Sequence, residues 1–287
     1  MFDALPRAIT AEEIAAYRDD GVVLLKGLFE SHWVEHLRTA VAEDMAHPGP
    51  MWKDVNRGGK GYFFGDTFVW AHVPGFRRFL SESPVAELAA TIMGAARTNL
   101  LFDQILAKSP RTSTPTIWHH DQPFWPVAGD QICTVWLALD PVGDENGAVE
   151  FVKGSHRWGQ RFRAESFDAN EPYGEDLPPV PDIEAMRDSL DFAQFEMEPG
   201  DCTVHHGLTV HWAPGNSTEH VDRRAYVTRW AGDDATYYPR PDIQKMLFDP
   251  RLTPGGRLDC ELWPVLWPRP RKLEVPSHPA DPQPASG

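Results

Sequence analysis

Ile117-Trp118-His119-His120-Asp121-Gln122 is the stretch on which the reading of this chain turns. In an extended conformation His119 and Asp121, two positions apart, project from one face of a strand, and His120 projects from the other. One imidazole and one carboxylate then address the same point. A third ligand from elsewhere would complete a 2-His-1-carboxylate triad, a donor set that suits non-haem Fe(II) and leaves coordination positions open. The triplet alone is weak: with this many His and Asp residues, roughly one His-x-Asp is expected by chance. The chain holds a second one, His220-Val221-Asp222, in a polar loop after a turn, and that one reads as accidental.

The flanking sequence gives the first triplet its context. Upstream, Thr10-Ala11-Glu12-Glu13 has the spacing of a capping box, so a helix should start there and stop at Gly21. Val22 to Leu25 reads as a buried strand. Ser31 is expected to cap a second helix whose apolar stripe is Val34, Leu37, Val41 and Met45. Ser83-Pro84 opens another helix, closed by Gly94. Beyond Gly94 the pattern changes to short segments separated by Gly, Pro and Asp: 99–108, 132–139, 148–152, 202–206 and 225–230. Helices first and strands afterwards predict an α+β chain with a mainly β core, a sandwich or barrel, and N-terminal helices packed on it.

Two stretches fall outside that pattern. Residues 47–65 are rich in Gly, Pro and aromatics and predict a long loop of the kind that carries binding residues. Residues 161–198 form an acidic insertion with a helix expected around 183–192; its length suits a lid or side wall. A single domain over 1–267 is expected, followed by a Pro-rich, disordered tail over 268–287.

Composition narrows the function classes. A formal charge of −15 over 287 residues argues against nucleic acid or an anionic membrane as main partner. Cys133, Cys202 and Cys260 are odd in number and lack paired spacing, which points away from a disulfide framework and a thiolate zinc site. The N-terminus lacks the features of a secretory signal and no apolar run is long enough to span a bilayer, so a soluble cytoplasmic protein is expected. The sequon Asn216-Ser217-Thr218 is then accidental.

A second landmark, Glu198-Pro199-Gly200-Asp201, has Pro and Gly where a type II turn wants them. It launches a strand that leads through His205 and His206 to His211. On the residues alone, any of these three imidazoles is a candidate third ligand. Pro214-Gly215-Asn216 makes another turn, and Arg223-Arg224-Ala225-Tyr226-Val227 returns.

Taken together, Trp-His-x-Asp, Trp136, Asn146-Gly147, Gly154-Ser155-His156, Gly200-Asp201, His211, Asn216 and Arg223 resemble the phytanoyl-CoA dioxygenase-like family of Fe(II)/2-oxoglutarate oxygenases. The opening 10–28 is similar to the start of that family as well. The resemblance implies a double-stranded β-helix, the cupin-like jelly roll. It implies Fe(II) held by His119, Asp121 and His211, 2-oxoglutarate as cosubstrate with its distal carboxylate on Arg223, and O2. Lys108 and Trp136 stand near cofactor-contacting positions of the family, and Ala213 where relatives often place a Ser that touches the cofactor. The implied activity is hydroxylation or another oxidation of a small organic molecule, with release of succinate and CO2. A metal-dependent isomerase or hydrolase would keep the three ligands without needing Arg223; a catalytically silent binding protein would keep only the fold.

Phe124 and Trp125 directly follow the metal stretch and are the residues expected to line a substrate pocket. An aromatic wall beneath an acidic cover would favour a neutral or cationic hydrophobic substrate over a CoA thioester.

Overall fold

The computed structural model describes residues 3–56, 59–164, 176–241, 243–268 and 273–276. Four helices and fourteen strands alternate unevenly along these residues. Helix α1 (Ala11–Asp20) carries the expected capping box: Thr10 accepts from the Glu13 backbone and Glu13 reaches back to the Thr10 N–H. It ends at Gly21, in the left-handed region at φ 79°. Strand β1 (Val22–Leu25) and α2 (Ser31–Ala46) follow, but the residue before α2 is Glu30, which makes no capping bond, so Ser31 is the first helical residue rather than its cap. Val34, Leu37 and Val41 are buried as the stripe required. Strands β2 (Lys53–Asp54) and β3 (Phe63–Thr67) occupy part of the stretch read as a loop, and α3 (Pro74–Glu82) precedes the expected α4 (Val85–Met93). The periodicity of 47–65 hides β3 because every residue of that strand is buried on both faces, so polar and apolar positions do not alternate.

The remaining strands are β4 (Thr98–Lys108), β5 (Thr116–His119), β6 (Val127–Ala128), β7 (Ile132–Ala138), β8 (Glu150–Val152), β9 (Phe192–Gln194), β10 (Cys202–His206), β11 (His211–Ala213), β12 (Arg223–Ala231), β13 (Thr236–Tyr237) and β14 (Val265–Trp267). The main sheet runs β1-β10-β7-β12-β4-β3-β2, with β14 also on β4; the second runs β5-β11-β8-β9. All the pairings in both sheets are antiparallel. This is a jelly roll of two open sheets rather than a closed barrel.

The main core fills the space between the helices and one face of the main sheet, where Cys133, Val135 and Leu137 of β7 meet Tyr226 and Trp230 of β12. The alternate residues, Thr134 and Trp136 of β7 with Arg223, Val227 and Arg229 of β12, turn to the other face and line a cavity shared with the second sheet. Period-two alternation thus puts apolar residues under the helices and polar ones in the cavity.

Two further expectations change. Residues 183–192 form turns and a single 3-10 turn at Arg187–Ser189 instead of an α-helix, and β9 then pairs with β8, so this part of the acidic insertion extends the second sheet. In the tail expected to be disordered, Leu273 is buried in the main core. Residues 269–272 and 277–287 lie outside the described residues.

The turn at Gly200 fixes β10 and with it the His205 to His211 segment. Gly200 has φ 98°, and a Cβ there would lie 2.4 Å from the carbonyl oxygen of Phe29. A backbone atom cannot swing aside, and a non-glycine residue in this region costs about 1–3 kcal/mol. Gly200→Ala is therefore expected to lower unfolding stability by at least that amount in a denaturant titration; an unchanged midpoint would refute the account of the turn.

Candidate active site

Pairing of β5 with β11 sets His119 directly opposite His211, with ring centroids 4.2 Å apart. Each Nδ1–H donates to the carbonyl two residues earlier, His119 to Ile117 at 2.8 Å and His211 to Thr209 at 2.9 Å. Those bonds fix the tautomer and turn both Nε2 atoms toward Asp121. Asp121 reaches the same point by a different route from the one the sequence implied. Strand β5 ends at His119, and Asp121 sits in the helical region (φ −73°, ψ −46°) at the entry to a 3-10 turn over Gln122–Phe124. The Gln122 N–H donates to the Gly207 carbonyl at 2.8 Å and anchors this turn. Asp121 Oδ1 lies 3.5 Å from His119 Nε2 and 3.8 Å from His211 Nε2.

The second carboxylate oxygen is already engaged. Thr134 Oγ1 donates to Asp121 Oδ2 at 2.6 Å and His205 Nε2 donates to it at 3.2 Å. Burial alone would push the Asp121 carboxyl up, yet the imidazoles of His119, His205 and His211 hold it well below the usual carboxylate range. Burial, with His119 and His205 beside it, likewise pushes His211 well below the usual imidazole range, so its ring stays neutral. One anionic oxygen and two imidazole nitrogens thus face one another within 4.8 Å, which is what a divalent cation requires. His205 holds the carboxylate and is no member of this trio.

Among the described residues a second trio, Asp44, Asp66 and His72, meets the same spacing. It is internally spent: His72 Nε2 bonds Asp44 Oδ1 at 2.7 Å, and both Asp66 oxygens accept backbone N–H groups from Gly49 and Thr67. The other histidines singled out by the sequence lie elsewhere. The His120 Nε2 is held by the backbone of Phe162, His156 by the Arg18 carbonyl, and His220 with Asp222 is exposed.

At one end of the cavity β12 and β4 set Arg223 beside Lys108. Arg223 is buried, lies 5.5 Å over the Trp136 ring, and its Nε has no hydrogen-bond partner. Burial lowers its guanidinium to about 10, which leaves it charged at neutral pH. Arg224 faces away and forms a bidentate pair with Asp140. The fully buried Lys108 donates from Nζ to the Pro214 carbonyl at 2.6 Å; burial and the adjacent Arg223 push its amine down to about 6. A buried guanidinium beside a buried amine, with no carboxylate paired to either among the described residues, fits an incoming dicarboxylate.

The cavity, about 690 Å³, is lined by His119, Asp121 and His211 and by Phe124, Trp125, Trp136, Ala213 and Arg223, as the sequence suggested, but not by Lys108. It is also lined by 50–55, within the 47–65 loop expected to carry binding residues, and by 244–247, which the sequence did not single out. The second is tied to the metal turn, since the Gln244 N–H donates to the Phe124 carbonyl. No described residue of 161–198 lines the cavity, although Ala164 packs in the cluster of Phe124 and Trp125. Residues 165–175 of the expected acidic cover lie outside the described residues; among the described ones, apart from Asp121, the lining holds Lys53, Arg223, Arg229 and Lys245 against Asp54. Thr134, Gln104 and Arg229 were missed as site residues, and His205, one of three candidate third ligands, holds the Asp121 carboxylate instead. Strand parity could have found Arg229 and Thr134, which share a face with Arg223 and Trp136.

The phytanoyl-CoA dioxygenase (PhyH) family profile matches residues 17–225. The chain belongs to that family. It is an enzyme of the non-haem iron, 2-oxoglutarate-dependent oxygenase class, with Fe(II), 2-oxoglutarate and O2 as its cofactor and cosubstrates. It is 25% identical over 234 residues to the multifunctional dioxygenase prhA of Penicillium brasilianum, covering 77% of this chain and 72% of that protein. In fold it is similar to the non-haem α-ketoglutarate-dependent carbocyclase SnoK from nogalamycin biosynthesis (TM-score 0.71, 24% identity, 92% of this chain and 99% of that one). It is likewise similar to the α-ketoglutarate-dependent epimerase SnoN of the same biosynthesis (TM-score 0.70, 25% identity, 91% and 96%). No helix among the described residues is long and apolar enough to cross a membrane.

The hydrogen bond from Thr134 makes a prediction about metal affinity. Residues that orient a ligating side chain typically contribute about 10–100-fold in metal affinity. Thr134→Val, which keeps the shape and removes the donor, is expected to weaken Fe(II) binding within that range in an anaerobic titration. Unchanged affinity would mean that Asp121 does not need this bond.

Proposed function

We propose that His119, Asp121 and His211 bind the catalytic Fe(II), that Arg223 and Lys108 receive the distal carboxylate of 2-oxoglutarate, and that the enzyme hydroxylates or otherwise oxidises a small hydrophobic molecule. The observation that carries the reading is the carboxylate of Asp121, one oxygen tied back and the other facing the Nε2 atoms of His119 and His211. When bound, Fe(II) with 2-oxoglutarate and O2 supplies the oxidising power, which ends in succinate, CO2 and an oxidised substrate.

The protein's own contribution is placement. The paired strands β5 and β11 hold two ligands rigidly, and the carbonyls of Ile117 and Thr209 keep their lone pairs on the metal side. Arg223 supplies a charged fork at the far end of the cavity and Trp136 flanks it. Phe124, set edge-on to His119 with centroids 5.9 Å apart, and Trp125 form an apolar wall that keeps water from the reacting carbon. The names of the structural relatives span ring closure and epimerisation, so on this scaffold the fate of the substrate is set by what lies against that wall.

Asp121→Ala tests the metal assignment. Loss of the only anionic ligand should abolish stoichiometric Fe(II) binding and succinate formation, and retention of both would show that the metal sits elsewhere.

Lys108 carries a pH dependence. In the free protein its amine loses its proton near pH 6. A carboxylate placed opposite would raise that value toward the ordinary one, so cofactor binding above pH 6 takes up a proton. Affinity for 2-oxoglutarate should then be highest below pH 6 and fall as pH rises through the interval between free and bound values, by at most about tenfold per unit. Lys108→Met should flatten this slope in calorimetric titrations from pH 6 to 9; an equally steep slope in the variant would assign the proton to another group.

A further inference from the structure

Strand β12 carries two buried arginines into the cavity, and the family reading uses only the first. Arg223 and Arg229 are six residues apart, so they sit on the same face of the strand at opposite ends of the cavity floor. The family match ends at residue 225. Arg229 is only 7% exposed. Its cross-strand partner is Thr134, the residue that bonds Asp121, so this guanidinium stands at the metal end. Its Cζ lies 4.8 Å over the Phe102 ring, and Phe102 packs edge-on against Trp125 with centroids 5.5 Å apart. Of the five N–H donors of a guanidinium, the structure uses one position: Nη2 donates to Gln104 Oε1 at 2.6 Å, while Nε and Nη1 have no partner. No carboxylate pairs with Arg229 among the described residues. Burial lowers it to about 10, with Asp121 and Asp103 opposing, so it remains a cation at neutral pH.

A buried, charged and largely unspent guanidinium on the wall of a ligand cavity is costly unless something anionic arrives. We propose that Arg229, oriented by Gln104, binds a free carboxylate on the primary substrate, whose hydrophobic body lies along Phe102, Phe124 and Trp125. This rests on the proposed function and adds the substrate class to it. It also bears on thioesters. A CoA thioester is neutral at its reacting end and keeps its charge far along the pantetheine arm, so it would leave Arg229 unpaired; the free acid satisfies it. The surplus of cations over carboxylates around the cavity, in a chain of net charge −15, points the same way.

The test is calorimetry on the Fe(II)-loaded protein, kept anaerobic and saturated with 2-oxoglutarate. Two matched pairs serve as probes, 3-phenylpropionate with 3-phenylpropionamide and 1-naphthylacetate with 1-naphthylacetamide. The wild type should bind the acids at least about tenfold more tightly than the amides, as expected for a charge-assisted pair. Arg229→Gln should remove that preference, and Arg229→Lys, which keeps charge but loses the planar fork, should restore only part of it. If Arg229 merely offset the charge of Asp121, the Gln variant would lose iron and the Lys variant would recover iron and acid preference together; that result overturns the proposal. So does a wild type that shows no acid preference with either pair, or a preference that survives Arg229→Gln. Titration of 2-oxoglutarate into Arg223→Gln separates this inference from the reading it rests on. Unchanged cofactor affinity there would sink the cofactor assignment, whereas an acid preference lost only in the Arg229 variants would still stand.

Discussion

The site depends on how the carboxylate of Asp121 is divided. A buried carboxylate is tolerated only when its oxygens are satisfied, and an oxygen that is fully satisfied by protein donors is a poor ligand. Thr134 and His205 resolve the conflict by taking Oδ2 and leaving Oδ1 to the metal side. Thr134 lies on β7 and His205 on β10, neighbouring strands of the main sheet in which Thr134 and His205 are paired. His119 and His211, proposed as the other two ligands, come from the second sheet. A single carboxylate therefore registers one sheet against the other, and the proposed metal position follows from that registration.

Charge is distributed with the same economy. Elsewhere in the chain most buried or half-buried cations are paired, as Arg224 is with Asp140 and Arg187 with Glu150. On the cavity face of β12 they are not. Arg223 and Arg229 each keep an Nε without a partner, though breaking the pattern on two turns of one strand carries a desolvation cost of several kcal/mol per ion. Such a cost is sustained where ligands complete the pairing, and cavities are where folded proteins place it. The rest of the strand offsets it with Ala225 and Val227, fully buried apolar residues between the two charges.

Much of this was readable from the chain. The capping box at Thr10, the stop at Gly21 and the strands after Gly94 follow from local chemistry, which acts within a few residues, and ordered motifs brought out the three positions proposed as iron ligands. What was not readable depends on contacts between distant segments. Residues 50–55, in the loop expected to carry binding residues, and 244–247 are far apart in sequence and line one cavity because β3 pairs with β4 and Gln244 is hydrogen-bonded to Phe124. A lid for the acidic insertion was inferred from its length and charge, and neither reports where a segment packs: Phe162 packs with Val152, Ile183 and Val210, and residues 165–175 lie outside the described residues.

The same-face argument for His119 and Asp121 is the instructive case, because its conclusion held while its geometry did not. Alternation on a strand would have spaced the two residues about 7 Å apart along the strand axis, with the side chains left to converge on the cation. Ending β5 at His119 and turning the chain at Asp121 brings the carboxylate back to 3.5 Å from the imidazole. Pro123 in that turn and the bond from Gln122 to Gly207 hold it there. Phe124 and Trp125 then emerge from the turn against the cavity instead of continuing along a strand, so the residue that completes the metal set also determines where the apolar wall stands.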